Sequence, residues 1–399
     1  MTRTDALLPP PHIFIAGSAV ALAGILFVSI LTIWVAQRWS IRFFEAAIFA
    51  LATAWSVRMI FFPFSLQRSL VLALLAGAPL IGLLQLVTGS TVNRWETWNA
   101  VLKWTAYLVS AFLVLQICST SRIRELFLRS LLYFGAALSV VSVLQLFTSR
   151  GKLFWLFESG YTESVLGPFI NPDHYAAFIE LLLPLALFNA FAREEVVLSY
   201  TGIAAGMFAS VIAGASRAGS VLVILESATI LLLMSRRRTS SARKPSTVLI
   251  SFLVLALVFT AVVGWTHLWQ RFQDPDPYLG RREMLFSTMA MIRDKPLNGF
   301  GLGNFANVYP AYAYFDTGSI VTHAHNDWAE WAAEGGLPFF ALVLTAVIGT
   351  VPYAIRSPWG LGIIFVFLHS LVDFPMQQAP LALWVFVLLG AVLVRQKAR

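Results

Sequence analysis

Apolar runs of about twenty residues recur along this chain, each long enough, at about 1.5 Å per helical residue, to cross a hydrocarbon layer of about 30 Å. Twelve such runs are legible, at 13–36, 43–62, 69–87, 98–117, 126–147, 175–191, 198–213, 220–234, 248–265, 337–355, 361–372 and 380–394. They lack the alternation of barrel strands, so helices are the expected spans, because in lipid the backbone must satisfy its own polar groups. With 58% hydrophobic and only 12% charged residues, no soluble fold could bury the apolar surface and still present a charged exterior. The predicted class is an all-α integral membrane protein with about twelve transmembrane helices. Short connections and the lack of a composition break or repeat predict a single polytopic domain over 1–399, with a large loop at 266–326 inserted between spans nine and ten.

The formal net charge of +8 does not point to nucleic acid, since the bases sit in short clusters between apolar runs, where they orient spans and meet anionic headgroups. Arg122, Arg124 and Arg129, then Arg193, then the run at 235–244, and finally Arg395, Lys397 and Arg399 fall on one side. That bias predicts cytoplasmic termini, against a smaller vote from Arg38, Arg42, Arg94 and Lys103. The segments 148–174, 214–219 and 265–326 then share the opposite side, which in a bacterial inner membrane is the periplasm. Cys118 is the single cysteine, so neither an intramolecular disulfide nor a thiolate metal cluster is available. The first apolar run is too long for the core of a cleavable signal and is followed by further spans.

The polar interval 265–336 is where residues able to do chemistry collect, and three constellations bear on it. GASRAGS at 214–220 places Arg217 at the junction of spans seven and eight. An arginine there either snorkels or uses its planar fork on phosphate oxygens, and its small neighbours permit close approach. In GRREMLFSTMAMIRDKPLNGFGLGNF at 280–305, Met284, Leu285, Thr288, Met289 and Ile292 mark one face of an amphipathic helix ended by Lys295 and Pro296, predicted to lie along the membrane interface. Arg281 and Arg282 open it, where the helix dipole prefers anions, so they serve either as an interfacial anchor or as a binding place for an anionic group. No strand precedes GFGLGN, so it is not a dinucleotide loop; a flexible turn at the mouth of a site is expected.

The third constellation is HAHNDWAEWAAEGGLPFF, starting at His323. Asn326 or Asp327 caps a short helix, Glu330 supplies a capping-box-like partner, and Gly335 and Gly336 end it before Pro338 opens the next span. His325 thus precedes a helix N-terminus, where the dipole disfavours imidazolium and leaves a ring able to accept a proton. His323, His325 and Asp327 form H-x-H-x-D, a spacing used for metal by some hydrolases, but His174, His267 and His369 show no ligand-like pairing; no metal is expected. Two further motifs reach the same side: GPFINPDHYAAF brings Asn171, Asp173 and His174, and HSLVDFPMQ brings His369 and Asp373.

Taken in order, NPDHYA, SRAG, GRREM, KPLNGFGLGNF, HAHNDWAEWAAEGGLP and HSLVDFP resemble the bacterial O-antigen ligase and polymerase superfamily over roughly 167–377; the first five spans match only as hydrophobic helices. The resemblance implies a polytopic, metal-independent glycosyltransferase without a cofactor, whose large periplasmic loop precedes the histidine motif. It would pass a glycan from undecaprenyl diphosphate to an acceptor hydroxyl, on lipid A-core or a growing glycan, and does not separate ligase from polymerase. By motif position His325 is the catalytic histidine, Arg217 the arginine after the seventh span and Arg281 the one opening the loop helix, with Arg282 an alternative. Arg282, Asn326, His323, Asn171, His174 and Asp373 are expected around the substrate.

Overall fold

A computed structural model describes residues 12–35, 37–62, 64–160, 165–193, 196–237, 245–276, 278–314, 318 and 320–394. The basic stretch 238–244 and Arg395, Lys397 and Arg399, which carry much of the expected charge bias, lie outside the described residues. Among the described residues the architecture is helical apart from one short hairpin, Lys152–Leu153 with Phe157–Glu158. Among the described residues nine helical segments are long and apolar enough to cross a membrane, and three shorter apolar helices, Val197–Ala213, Pro358–His369 and Ala379–Val392, coincide with the remaining expected runs. The chain is an all-helical, multi-pass membrane protein.

In chain order the helices are α1 (His12–Leu31), α2 (Trp39–Phe61), α3 (Leu70–Leu75), α4 (Gly77–Thr88), α5 (Arg94–Ile117), α6 (Ser121–Thr148), α7 (Pro172–Glu180), α8 (Leu183–Ala192), α9 (Val197–Ala213), α10 (Arg217–Arg236), α11 (Pro245–Val263), α12 (Thr266–Phe272), α13 (Leu279–Asp294), α14 (Phe305–Val308), α15 (Asp327–Arg356), α16 (Leu361–His369) and α17 (Ala379–Val392). Every residue of α17 is buried, so it is the pillar of the bundle. Its Gly390 lets α5 approach until an added Cβ would lie 2.2 Å from the Ala111 carbonyl oxygen, the close contact that small residues permit between membrane helices. Its Trp384 packs among Phe27, Phe134 and Phe178 and donates to the Leu26 carbonyl at 3.0 Å, meeting the one polar need of a buried indole. At the periphery α11 packs on α9 and leaves most of its apolar surface outward, as a lipid-facing helix does.

Local chemistry explains the breaks that shape the site. Asn171 caps α7, its Oδ1 accepting from the Asp173 amide at 2.8 Å, and Pro172 occupies the first helical position, which wastes no donor. In α15 the helical path is broken at Gly336 (φ 73°, ψ 175°). The loop is stitched into that break: Leu337 N donates to Pro296 O at 2.7 Å, Phe300 N to Ala333 O at 3.0 Å and Gly301 N to Glu334 O at 2.9 Å, so groups freed by the kink find backbone partners.

GFGLGN is therefore not the flexible turn at a site mouth expected from its glycines. Gly299, Gly301 and Gly303 all have positive φ, and a Cβ on Gly299 would meet Glu334 O at 2.2 Å, one on Gly301 would meet Thr91 Oγ1 at 2.2 Å. Gln85 clamps the same turn, donating to Asn298 O and Glu334 O and accepting from Leu302 N at 3.0 Å. The glycines allow close packing and left-handed backbone, not motion. Gly299→Ala is accordingly expected to destabilise the fold by about 1–3 kcal/mol or more, read as a lowered unfolding midpoint of the detergent-solubilised protein.

The loop helix α13 also differs from expectation. It packs on α15 through Ser287, Thr288, Met291 and Ile292, whereas Met289 and Phe286 face outward. Its inner stripe is displaced from the one expected because α15, not only lipid, is its partner.

Candidate active site

Five chain segments far apart in sequence meet at one end of the bundle: the start of α7, the start of α10, the start of α13, the turn before α15, and the turn that follows α16 from His369. Arg281 is the hinge of the assembly. Its Nη2 lies 2.6 Å from Asp173 Oδ2 and 3.8 Å from Asp373 Oδ1, while Nη1 donates to Val372 O at 2.8 Å. Burial alone would weaken the Arg281 charge, but Asp373 and Asp173 hold its pKa above the ordinary value. Asp173 is tied in turn to the α10 start, accepting from Ser216 Oγ at 2.5 Å, and Ser216 caps α10 by accepting from Gly219 N at 3.0 Å.

Asp373 is fully buried and accepts His325 at Nδ1, 2.9 Å from Oδ1. Burial pushes its carboxyl up, yet the His325 hydrogen bond and neighbouring cationic groups, Arg281 among them, hold it well below the usual carboxylate range. An ionised carboxylate only accepts, so the Nδ1 proton sits between the two groups and Nε2 is left with its lone pair. His325 itself is in left-handed backbone (φ 50°), a strained conformation for a residue with a Cβ, held by the turn around it. Phe374 fixes the ring from another direction: His325 and His174 meet it edge-on at 4.6 and 4.7 Å, and His323 stacks on it at 4.6 Å.

The rest of the histidine motif builds the turn. Asn326 caps α15, with Oδ1 accepting from Ala329 N at 2.9 Å and Nδ2 donating to Leu371 O at 2.8 Å. Glu330 does not close a capping box. It bonds His323 Nδ1 at 2.9 Å and the Ala324 amide at 2.8 Å, and although burial opposes the charged ring, Glu330 raises the His323 pKa above its ordinary value. Asp327 accepts the Met376 amide at 2.9 Å. The side chains of H-x-H-x-D thus turn to three different partners, and among the described residues no group of three or more His, Cys, Asp or Glu is arranged to hold a metal ion.

Arg217 reaches the loop from α10: its Nη1 donates to Arg271 O at 3.0 Å and lies 3.6 Å from Asp274 Oδ2. Arg271 reciprocates to Ala215 O at 3.0 Å. The Tyr278 ring stands between the two cations, with the Arg217 Cζ 5.0 Å and the Arg281 Cζ 5.8 Å from its centroid.

Residues 202–344 match the protein-family model described as O-Antigen ligase. Over this stretch the chain is similar to the O-antigen ligase family. The match covers just over a third of the chain and supports the O-antigen ligase and polymerase superfamily; no curated protein matches the chain. Arg217, Arg281, Arg282, His323, His325 and Asn326 fall inside the matched stretch, while Asn171, His174 and Asp373 are brought to it from outside.

Of the residues expected around the substrate, Arg282 turns away from the centre, mostly exposed and paired with Asp276 at 2.7 Å. Asn171 and Asn326 use their side chains as helix caps. His174 is buried, its Nε2 3.4 Å from Asn171 Nδ2 and 3.6 Å from Asp373 Oδ2. Asp373 itself contacts the protein rather than open space. Two members escaped the sequence reading of the site, Tyr278 and Phe374, and Asp173, named there only with its motif, proves to be the partner of Arg281. Asp173 and Phe374 each adjoin a chosen residue, and Tyr278 stands three before Arg281, one helical turn away, which is the signal available for each.

Proposed function

We propose that this protein moves a glycan from undecaprenyl diphosphate to an acceptor hydroxyl, with His325 as general base, and that it has about twelve spans with its loop and site facing the periplasm of the inner membrane. The observation that carries the reading is the Asp373–His325 pair, 2.9 Å apart, which leaves Nε2 free to take the acceptor proton. Asp373 is then a positioning residue, holding the ring's tautomer and stabilising the imidazolium as it forms. The sugar C1–O bond to the diphosphate breaks as the acceptor oxygen bonds to C1. The electron pair leaves with the diphosphate, whose growing negative charge Arg217 and Arg281 stabilise. The donor is already activated, so neither a nucleotide sugar nor a cofactor is needed.

Arg281 is paired with Asp173, so substrate phosphate must share or displace that partner. Arg217 donates to the Arg271 carbonyl and lies 3.6 Å from Asp274, so it too would bind phosphate by exchanging partners. Arg217→Lys is expected to lower transfer about tenfold or more, because an ammonium cannot reproduce the guanidinium fork; transfer in proteoliposomes from a polyprenyl-diphosphate-linked oligosaccharide checks this.

Ligase and polymerase are separated by deleting the coding sequence and profiling surface glycans. Loss of capped lipid A-core with intact polymer on the carrier marks a ligase, the reading we favour. Loss of long chains with single units still attached marks a polymerase. An unchanged profile of both contradicts the proposed function.

A further inference from the structure

At the end of the bundle opposite His325, the start of α6, the end of α8 and the end of α17 enclose a cavity of about 510 Å³. Sequence position explains the opposition: α17 starts beside the 375–377 turn next to the site and finishes at Val392 on the cavity wall. Arg124, Arg129 and Arg193 all line it. Read along the chain, these arginines only orient spans; in the fold they converge.

Their charge is not balanced among the described residues. Arg129 and Arg193 both pair with the same oxygen of Glu125, so two guanidiniums share one carboxylate, and Arg124 has no carboxylate partner among the described residues. Arg193 Nε reaches Asn189 Oδ1 at 3.3 Å, but Arg129 Nε is buried with no hydrogen-bond partner, a donor lacking the acceptor such a group ordinarily finds. The rest of the lining is mixed: Leu128, Leu185, Phe188 and Val392 form an apolar wall on one part, Ser121, Asn189 and Ser357 supply polar groups, and buried Trp359 also lines it, a residue type that settles at headgroup level.

We propose that this cavity binds the phosphate of an anionic membrane phospholipid, with Arg124, Arg129 and Arg193 as donors and the apolar wall receiving the start of the acyl chains. Guanidinium forks match phosphate oxygens two at a time, and basic pockets between membrane helices hold anionic headgroups by this chemistry. Free phosphate offers the same oxygens, but a pocket at headgroup depth meets lipid phosphate at far higher local concentration, and only a lipid uses the apolar wall. The bound lipid would tie together the ends of α6, α8 and α17, and the inference stands independently of the transfer chemistry at the other end.

The test uses the purified full chain in neutral detergent, titrated with dimyristoyl phosphatidylglycerol, dimyristoyl phosphatidylcholine or inorganic phosphate, with the unfolding midpoint and native mass spectrometry as readouts. Phosphatidylglycerol is expected to raise the midpoint and remain bound where phosphatidylcholine does not, and Arg124→Gln to weaken its binding about tenfold. Arg124→Gln removes no ion pair among the described residues, so it should fold normally. A charge-balanced variant, Glu125→Gln with Arg193→Gln, retains Arg124 and Arg129 and is expected to bind more weakly than wild type. Equal binding of the two lipids by wild type, or unchanged phosphatidylglycerol binding by Arg124→Gln, overturns the proposal. Protection by inorganic phosphate without any by phosphatidylglycerol overturns the lipid source.

Discussion

Replacing His325 by alanine is expected to lower glycan transfer by about 10²–10⁴-fold, the range a positioned general base contributes, with membrane insertion and protein level unchanged. The folding side of this expectation comes from the surroundings. His325 is only part-buried, and the turn that carries it is secured by other groups: Asn326 at the cap, Glu330 on the Ala324 amide and Asp327 on the Met376 amide. Removing the imidazole also relieves none of the ion pairs of Arg281, which keeps Asp173 and the Val372 carbonyl. Turnover in reconstituted proteoliposomes and the amount of folded protein in the membrane are the two measurements. Near-normal turnover removes His325 from the chemistry.

The second large effect is expected of Asp373→Asn. An amide can present its NH₂ to Nδ1, which would place the ring proton on Nε2, the atom that must accept from the acceptor hydroxyl. The side chain is nearly isosteric, so the geometry can persist while the tautomer inverts, and a loss of about 10²–10⁴-fold in turnover follows. The unfolding midpoint separates this from simple damage. In the wild type the lowered Asp373 pKa keeps the carboxylate ionised as pH falls below the ordinary carboxylate range, so Asp373 does not itself set the acid limb near neutrality. A loss of turnover with a lowered unfolding midpoint would instead mark Asp373 as structural.

The parts of this molecule legible in sequence are those written in local chemistry. The recurrence of apolar runs, the cap of α15 at Asn326, the end of α13 at Lys295 and the break at Gly336 each depend on a few neighbouring residues. The ordered motifs also marked the polar interval and its histidine turn. Pairing was not legible. Arg281 and Arg282 are adjacent in sequence but about 100° apart around a helix, so one faces Asp173 while the other faces Asp276; only the docking of α13 on α15 decides which.

GFGLGN shows the same limit from the other side. Glycine signals either freedom or the need to omit a Cβ, and the choice rests on what lies across the contact. Here it is Gln85 on α4, Thr91 just after it, and Glu334 on α15, all distant in sequence. The convergence of Arg124, Arg129 and Arg193 was likewise invisible, because a topology rule counts cations by side and takes no account of whether they meet.

The central claim is that His325 and Asp373 act as one unit, and a double-mutant cycle tests it most directly. Transfer is measured under identical conditions for wild type, His325→Ala, Asp373→Asn and the double variant. If Asp373 acts only through the ring, removing the ring removes its effect, and the double variant should turn over at the rate of His325→Ala within a few fold. Losses that multiply in the double variant would show the two residues contributing independently, and would contradict the carboxylate–histidine base.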